Sequence, residues 1–262
     1  MKRFFTALGI AAAVFAVAAA LAAGLYLMLR GGLLQAVELR APSNTRRQDD
    51  FSVDENGYVT YPGAVMGVDV SAFQGEIDWE AAKEAGVRFA ILRIGFRGYS
   101  AGSLNEDERF EQNYQGARDA GLDVGVYFYS QATSDTEAVE EAEYVLQLLS
   151  GRALQLPVFF DWEEVSDGRT GGKATTAVTG FAQNFCSRVS AGGYRPGVYF
   201  NQTYGYSIMQ LGRMKQYEFW LAEYQNTQSF GYEVQFWQYT GNGHVDGIET
   251  RVDLDLMYAK GE

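Results

Sequence analysis

From Met66 onward, short segments of β-branched and aromatic residues alternate with longer segments that have helical periodicity. This alternation predicts parallel strands joined by helices, because a chain that leaves one parallel strand must cross back over the sheet before the next. The predicted helices lie near 78–86, 107–120, 135–150 and 175–191, between the first five strands. The predicted strands are 66–71, 89–96, 123–130, 156–165, 196–201, 218–224, 234–240 and 251–258.

Eight strands within residues 66–262 fit a closed α/β barrel better than an open sheet. The segments between the last three strands lack long apolar helical periodicity, so we expect a short barrel that has lost most of its helices there. In parallel barrels the functional site lies at the C-terminal ends of the strands. Residues at those ends are therefore the first candidates for chemistry.

The reactive side chains of this chain are mainly carboxylates. The sequence has 33 Asp and Glu, 21 Lys and Arg, one histidine (His244) and one cysteine (Cys186), with a net charge of −12. A zinc site of the usual kind lacks ligands, a catalytic triad would depend on His244 alone, and no intramolecular disulfide is available. We expect neither a metal nor another cofactor, and the acidic surface disfavours nucleic-acid binding because it repels phosphate.

Residues 4–29 form an uncharged stretch of 26 residues, preceded by Lys2 and Arg3 and followed by Arg30. As a helix this stretch would span about 39 Å, which exceeds the ~30 Å hydrocarbon core of a bilayer. Signal peptides have apolar regions of only about 7–15 residues, so the length favours an uncleaved transmembrane anchor over residues 1–30. A-x-A triplets within 18–23 leave a cleaved signal peptide as the alternative.

The flanking cations do not settle the orientation of this predicted anchor, because both sides carry them. We expect the long C-terminal domain, residues 66–262, to be extracytoplasmic. Residues 31–65 begin with two glycines and continue with a polar run, which predicts a tether. Asn56-Gly57 within this tether indicates a possible β-hairpin.

Four acids are predicted to meet at the mouth of the barrel. Asp161 and Glu163 follow an apolar strand and lie two residues apart, so both side chains point to one face, roughly 6–7 Å apart at the backbone. Asp69 lies in the first strand and Asp253 in the last, and these strands become neighbours when a barrel closes.

Such a group of acids suits glycoside hydrolysis. One carboxyl group protonates the leaving oxygen while another group stabilises the oxocarbenium-like centre. When two carboxyl groups are buried close together, the negative charge of one raises the pKa of the other. This effect would keep one of them protonated near neutral pH. A salt-bridged rim without catalysis is the alternative interpretation.

Aromatic and amide side chains near the strand ends are candidates for contact with a sugar, because aromatic rings stack on the apolar faces of sugars. Core packing is the alternative for each ring. We expect Arg93 and Arg97 to pair with acids, His244 to lie on the surface and Cys186 to be buried. The predicted substrate-binding residues are Tyr127, Tyr129, Tyr224, Gln74, Trp220 and Gln238.

Five further motifs are GVDVSAFQGEIDW (67–79), PVFFDWE (157–163), FWLAEY (219–224), FWQYT (236–240) and GIETRVDLD (247–255). Together they resemble the motifs of glycoside hydrolase family 25. The resemblance extends from Met66 to about Tyr258. It implies an irregular TIM-like barrel of five β/α units followed by three strands. It also implies a retaining muramidase that cuts peptidoglycan glycan strands between N-acetylmuramic acid and N-acetylglucosamine.

The same resemblance assigns roles to the acids. Glu163 would be the acid/base, and Asp161 would either orient the 2-acetamido group of the substrate or act as the nucleophile. Asp69 and Asp253 would be supporting acids. The family often has asparagine where this chain has Asp255, and some members have histidine where it has Phe128.

We therefore expect a monomeric, membrane-anchored muramidase, or a secreted one if the N-terminal segment is cleaved. Two alternatives remain open at this point. One is a wall-binding module that keeps the cleft without catalysis. The other is a barrel glycosidase that acts on another N-acetylhexosamine polymer.

Overall fold

The computed structural model describes residues 25–28, 30 and 40–259 of the 262-residue chain. The chain divides into two compact units, Met1–Arg40 and Ala41–Glu262. Within the described residues, no helix is long and apolar enough to cross a membrane. Most of the predicted anchor, including residues 4–24, lies outside the described residues.

The second unit is built from strands with four α-helices between them. The helices are α1 (Trp79–Glu84), α2 (Phe110–Asp119), α3 (Asp135–Leu149) and α4 (Ala177–Ala191). The strands are β1 (Ser52–Val53), β2 (Val59–Thr60), β3 (Val65–Val70), β4 (Phe89–Arg97), β5 (Leu104–Glu106), β6 (Asp123–Ser130), β7 (Val158–Trp162), β8 (Pro196–Asn201), β9 (Glu218–Ala222), β10 (Phe236–Val245) and β11 (Ile248–Met257).

Eight of these strands close into a barrel in the order β3-β4-β6-β7-β8-β9-β10-β11, with β11 returning to β3. They are the eight strands predicted from the sequence, so the predicted α/β barrel is confirmed. The pairings from β3 to β10 around this ring are parallel, whereas β11 runs antiparallel to both of its neighbours. The short strand β5 pairs with β4 outside the ring.

The fifth β/α connection has no α-helix. A π-helical turn (Tyr204–Ile208) and a 3₁₀ turn (Leu211–Arg213) follow β8 instead, before β9 begins. The hairpin of β10 and β11 is longer than the sequence indicated and turns at Gly247, whose φ of 91° is accessible mainly to glycine. The barrel is therefore irregular in the half that contains its last strands.

Capping side chains and apolar stripes explain the helices. The carboxylate of Asp78 accepts a hydrogen bond from the Ala81 amide before α1, and the Ser134 hydroxyl accepts one from the Glu137 amide before α3. Helix α3 buries a stripe of Ala138, Ala142, Val145 and Leu149. Helix α4 buries a similar stripe that includes Cys186, which was predicted to be buried. These faces pack on the outside of the barrel.

Aromatic side chains fill the lower interior of the barrel. The rings of Phe89, Phe159 and Phe236 pack together, with centroid distances of 5.8 Å between Phe89 and Phe236 and 5.2 Å between Phe159 and Phe236. Gly67 of β3 leaves room for this layer, because a Cβ atom there would lie 2.4 Å from the Phe89 ring. Open space remains only above this layer, toward the C-terminal ends of the parallel strands.

Residues 41–61, which belong to the predicted tether, contact the barrel. Ser43 forms a β-bridge with Tyr232, and the Arg46 guanidinium lies 3.6 Å from the centroid of the Tyr258 ring. Phe51 packs edge-on against Trp237, with ring centroids 5.3 Å apart. The predicted hairpin is present as the antiparallel pair β1 and β2. These contacts hold the described part of the predicted tether against the barrel, whereas residues 31–39 lie outside the described residues.

Candidate active site

A cavity of about 260 Å³ opens at the C-terminal ends of the parallel strands. Successive barrel strands direct their inward-facing side chains into it, so residues far apart in the sequence meet there. Its lining contains all ten predicted site residues. They are Asp69, Asp161, Glu163 and Asp253, together with Gln74, Tyr127, Tyr129, Trp220, Tyr224 and Gln238.

Strand β7 supplies the two central carboxyl groups. Its alternation directs Phe159 into the barrel, with Asp161 and Glu163 above it on the same face. Trp162 points to the opposite face, where it is buried and donates a hydrogen bond of 2.8 Å to the Ala132 carbonyl. Asp161 is 5% exposed, and its Oδ1 atom has no hydrogen-bond partner among the described residues. This oxygen is therefore a buried acceptor that no donor within the described residues satisfies.

Burial and mutual repulsion favour protonated carboxyl groups here. Burial raises the pKa of Glu163, which is only partly exposed to solvent. Burial and then the charge of Glu163 raise the pKa of Asp161 well above its usual range, whereas Arg93 acts in the opposite direction. Burial therefore favours the protonated form of both groups, whereas Arg93 favours ionisation of Asp161.

The other two acids lie on neighbouring antiparallel strands. Asp69 of β3 stands opposite Asp253 of β11 in the strand register. Burial, followed by the charge of Glu163, raises the pKa of Asp253 to about 6. Burial and the charges of Asp253 and Asp255 raise the pKa of Asp69 well above its usual range. Four predicted acids thus lie around one cavity, as expected from the sequence.

Gln238 connects the acids to the aromatic residues. Its Nε2 donates to Asp69 Oδ2 at 2.7 Å, and its Oε1 accepts from the hydroxyls of Tyr199 and Tyr224, each at 3.0 Å. Gln238 is 3% exposed, so its amide orients neighbouring side chains within the protein. The Tyr224 side chain is 63% exposed and offers its ring to the cleft.

Among the predicted substrate contacts, Trp220 needs correction, and Gln74 has hydrogen-bond partners within the protein. Trp220 is 1% exposed and packs against Phe159 and Tyr199, so no face of its indole is open to a sugar. It lies too deep in the barrel because β9 places it in the layer just below the cavity. Gln74 caps the turn after β3: its Oε1 accepts from the Ser71 amide at 2.9 Å, and its Nε2 donates to the Arg251 carbonyl at 3.3 Å. Gln74 also lines the cavity, so its contact with a substrate stays a prediction.

The predictions for the arginines and for His244 are confirmed. Arg93 donates to Asp107 at 2.7 Å, and Arg97 donates to the buried Glu141 at 2.7 Å. His244 is exposed on the β10–β11 hairpin, away from the four-acid cavity.

Phe73 is a rim residue that the sequence analysis did not single out. Its side chain is 79% exposed at the edge of the cavity, and the Arg93 guanidinium lies 4.9 Å from its ring centroid. The turn Ala72–Gln74 that carries it is fixed by the Ser71 cap and by a hydrogen bond of 3.1 Å from the Ala72 amide to Asp107. The S-x-x-Q pattern around it, a capping box, was the available signal.

A second cavity, of about 400 Å³, adjoins the first and shares Glu163, Tyr199 and Tyr224 with it. Its far wall includes Glu223, whose carboxylate accepts hydrogen bonds from the backbone amides of Ser229 and Phe230. Glu163 lies where the two cavities meet. In the part of the chain from residue 40 to 259, no group of three or more His, Cys, Asp or Glu residues is arranged to hold a metal ion.

Comparison with known proteins points to a single family. Residues 68–248 match the profile of Glycosyl hydrolases family 25. The chain is 29% identical over 192 residues to the autolytic lysozyme of Clostridium acetobutylicum, covering 73% of this chain and 55% of that protein. It is 28% identical over 200 residues to lysozyme M1 of Streptomyces globisporus, covering 72% of this chain and 66% of that protein.

A solved structure agrees with these sequence matches. The bacterial lysozyme of Streptomyces coelicolor superimposes with a TM-score of 0.58 at 25% identity, covering 75% of this chain and 93% of that one. This chain spans between about half and two thirds of the length of the two sequence relatives it matches.

Proposed function

Because the chain belongs to glycosyl hydrolase family 25, we propose that it hydrolyses peptidoglycan at the β-1,4 bond between N-acetylmuramic acid and N-acetylglucosamine. The observation that carries the proposal is the pairing of Asp161, on β7, with Glu163, just after that strand, in the cavity at the barrel mouth. The likeness to two lysozymes supports this substrate class.

Glu163 is the general acid in this mechanism. Burial raises its pKa, so the carboxyl group retains a proton that it gives to the glycosidic oxygen as the C–O bond breaks. Its place between the two cavities suits a bond that lies across them. In the second step the resulting carboxylate takes a proton from water, which attacks the anomeric carbon and gives net retention.

Asp161 orients the 2-acetamido group of the substrate. Its unpartnered Oδ1 atom can accept the acetamido N–H, which directs the acetamido carbonyl oxygen toward the anomeric carbon. That oxygen forms the new bond as the glycosidic bond breaks. The alternative within the same site is direct attack by the Asp161 carboxylate, which would leave a covalent glycosyl-enzyme.

Aromatic rings hold the sugars over these acids. Tyr127, Tyr129 and Tyr224 line the cavity, and the exposed ring of Phe73 stands at its rim. Such rings bind the apolar faces of sugars, while amides and carboxylates fix the hydroxyl groups.

The first test is Glu163→Gln, which preserves shape but removes the proton donor. We expect the variant to fold, to bind purified walls and to lose about 10²–10⁴-fold in wall-lysis rate. The matched control is Glu164→Gln, because Glu164 is the next carboxylate in the chain and hydrogen-bonds the Gly172 amide instead. Lysis by Glu163→Gln at the wild-type rate would remove Glu163 from the mechanism. Wild-type protein that binds walls without releasing reducing ends would identify a binding module.

For location, the proposal is a membrane anchor over residues 4–29 that places the barrel outside the cytoplasmic membrane. The support is the length of this uncharged stretch and the extracytoplasmic position of the proposed substrate. Secretion after cleavage of the same segment is the alternative. The barrel acts as a monomer in this proposal.

A further inference from the structure

Asp255 is a buried carboxyl group that the mechanism above does not use. It lies on β11 inside the barrel, is 0% exposed, and stands opposite Gln238 of β10 and Gly67 of β3 in the strand register. Its Oδ1 accepts a hydrogen bond of 2.8 Å from the Trp220 indole N–H. Its Oδ2 is equally buried, and no N–H or O–H group within residues 40–259 donates to it.

The side chain that interacts with Asp255 from β3 is Asp69, another carboxyl group. Two ionised carboxylates have only acceptor oxygens and repel each other, so such a contact leaves the Asp255 oxygen without a donor. One shared proton changes this, because it forms an O–H···O⁻ hydrogen bond and reduces the charge of the pair to one. A single shared proton therefore supplies the missing hydrogen bond to the Asp255 oxygen and reduces the repulsion between the two carboxyl groups.

The other groups around Asp255 do not offset a second negative charge. The charge of Asp253, on the same strand, raises the pKa of Asp255. The charge of Asp255 in turn raises the pKa of Tyr239 on β10 and of Tyr224, just after β9. Within the described residues, none of the interactions that shift the pKa of Asp255 comes from a cation. Burial, with a smaller contribution from Asp253, raises this pKa to about 8 despite the opposing hydrogen bonds of Trp220 and Asp69.

We propose that Asp255 is a positioning residue that shares one proton with Asp69, in a hydrogen bond between the two carboxyl groups. With that proton in place, Asp69 remains the acceptor for Gln238, and Gln238 in turn accepts from Tyr199 and Tyr224. The chain of contacts runs from the buried Trp220 to the exposed Tyr224 ring at the cleft. Its effect on catalysis rests on the proposed function, whereas the shared proton does not.

The proton is tested by the pH dependence of stability in the full-length protein in detergent micelles. The variant Asp255→Asn supplies an amide N–H donor to Asp69 without a titratable proton, and Asp167→Asn makes the same change at an exposed carboxylate. A folded-state pKa above the unfolded value favours folding below the unfolded pKa, and this contribution is lost as the pH rises toward the folded pKa.

The Tm of Asp255→Asn minus the Tm of wild type should therefore increase by about 3 °C per pH unit from about pH 4 to about pH 8. Above pH 8 this difference in Tm should be constant. A gap between Asp255→Asn and wild type that stays constant or narrows from pH 5 to pH 8 would overturn the proposal, because Asp255 would then be ionised like an ordinary carboxylate. The difference in Tm between Asp167→Asn and wild type should stay constant over the same pH range.

Activity separates positioning from bulk stability. At pH 6 we expect Asp255→Asn to keep kcat within about 3-fold of wild type, and Asp255→Ala, measured well below its own Tm, to lose at least 10-fold in kcat. Equal kcat values for the two variants would remove the positioning role. Failure of wild-type protein to cleave walls would remove the proposed function, yet the Tm comparison would still decide whether the proton is shared.

Discussion

Arg93 sets the balance of charge between the two central acids. It lies in the cavity wall, where its Nε donates a hydrogen bond of 2.7 Å to the Asp107 carboxylate. Its positive charge opposes the rise in the pKa of Asp161. The proposed mechanism needs Asp161 ionised and Glu163 protonated at the same pH. Arg93 favours the first of these conditions, because its charge opposes the rise in the pKa of Asp161.

Removing this cation should move the acid limb of the activity profile. In Arg93→Gln the pKa of Asp161 rises further, so ionised Asp161 is lost at a higher pH as the solution is acidified. We expect the acid limb of kcat/KM for wall lysis to shift upward by about one pH unit, with the alkaline limb retained. Arg109→Gln, a change at a cation paired with Gln112 outside the cavity, is the control. An unchanged acid limb in Arg93→Gln would show that Arg93 does not tune Asp161.

Alternation along strands was enough to predict the acids but not the depth of each side chain. Asp161 and Glu163 follow from a spacing of two on an apolar strand, and the closed barrel brings Asp69 to Asp253. Trp220 and Tyr224 have the same parity, yet one is buried below the cavity and the other is exposed above it. Depth depends on strand tilt and on how large neighbouring side chains fill the interior, which no local pattern encodes.

The turn Ala72–Gln74 after β3 is a short element that presents one large ring to the cleft. Two separate constraints, the capping box and the hydrogen bond to Asp107, hold it in place. Phe73 therefore stays exposed at the cavity rim with little freedom to move, which suits a platform for a sugar ring.

Loss of this ring should weaken binding more than chemistry. For Phe73→Ala we expect KM for soluble glycan fragments to rise about 5–20-fold with kcat within about 2-fold, since stacking is worth roughly 1–2 kcal/mol. Tyr99→Ala removes another exposed ring that does not line the cavity, and it should leave both constants unchanged. A fall in kcat without a change in KM would indicate that the turn acts on the catalytic groups.

Element by element, the sequence was informative where periodicity was strong. The eight barrel strands and the four helices were predicted, because a buried strand and an amphipathic helix have different periods. The direction of β11 was not predicted, since an antiparallel strand has the same alternation as a parallel one. The packing of Phe51 on Trp237 was also missed, because a polar, glycine-containing segment carries little sign of the aromatic surface it covers.

At the scale of the whole molecule, the proposal joins an external barrel to a membrane segment. An anchored enzyme would act only on wall close to its own membrane. We expect the full-length protein to sediment with membranes and external protease on intact protoplasts to remove the barrel. A cytoplasmic protein of known location serves as the control for protoplast integrity. A soluble form in the medium that begins near Ala23 would establish cleavage instead, and a barrel protected from protease would contradict the external location.

The most direct test of the central claim is the identity of the reducing ends released from purified walls. Fragments produced by the full-length protein are reduced with borohydride, and their end groups are identified by tandem mass spectrometry, with Glu163→Gln as the matched inactive variant. The account predicts N-acetylmuramitol as the new end group from the wild-type protein, and very little from Glu163→Gln. N-acetylglucosaminitol as the main end group, or equal release by the two proteins, would contradict it.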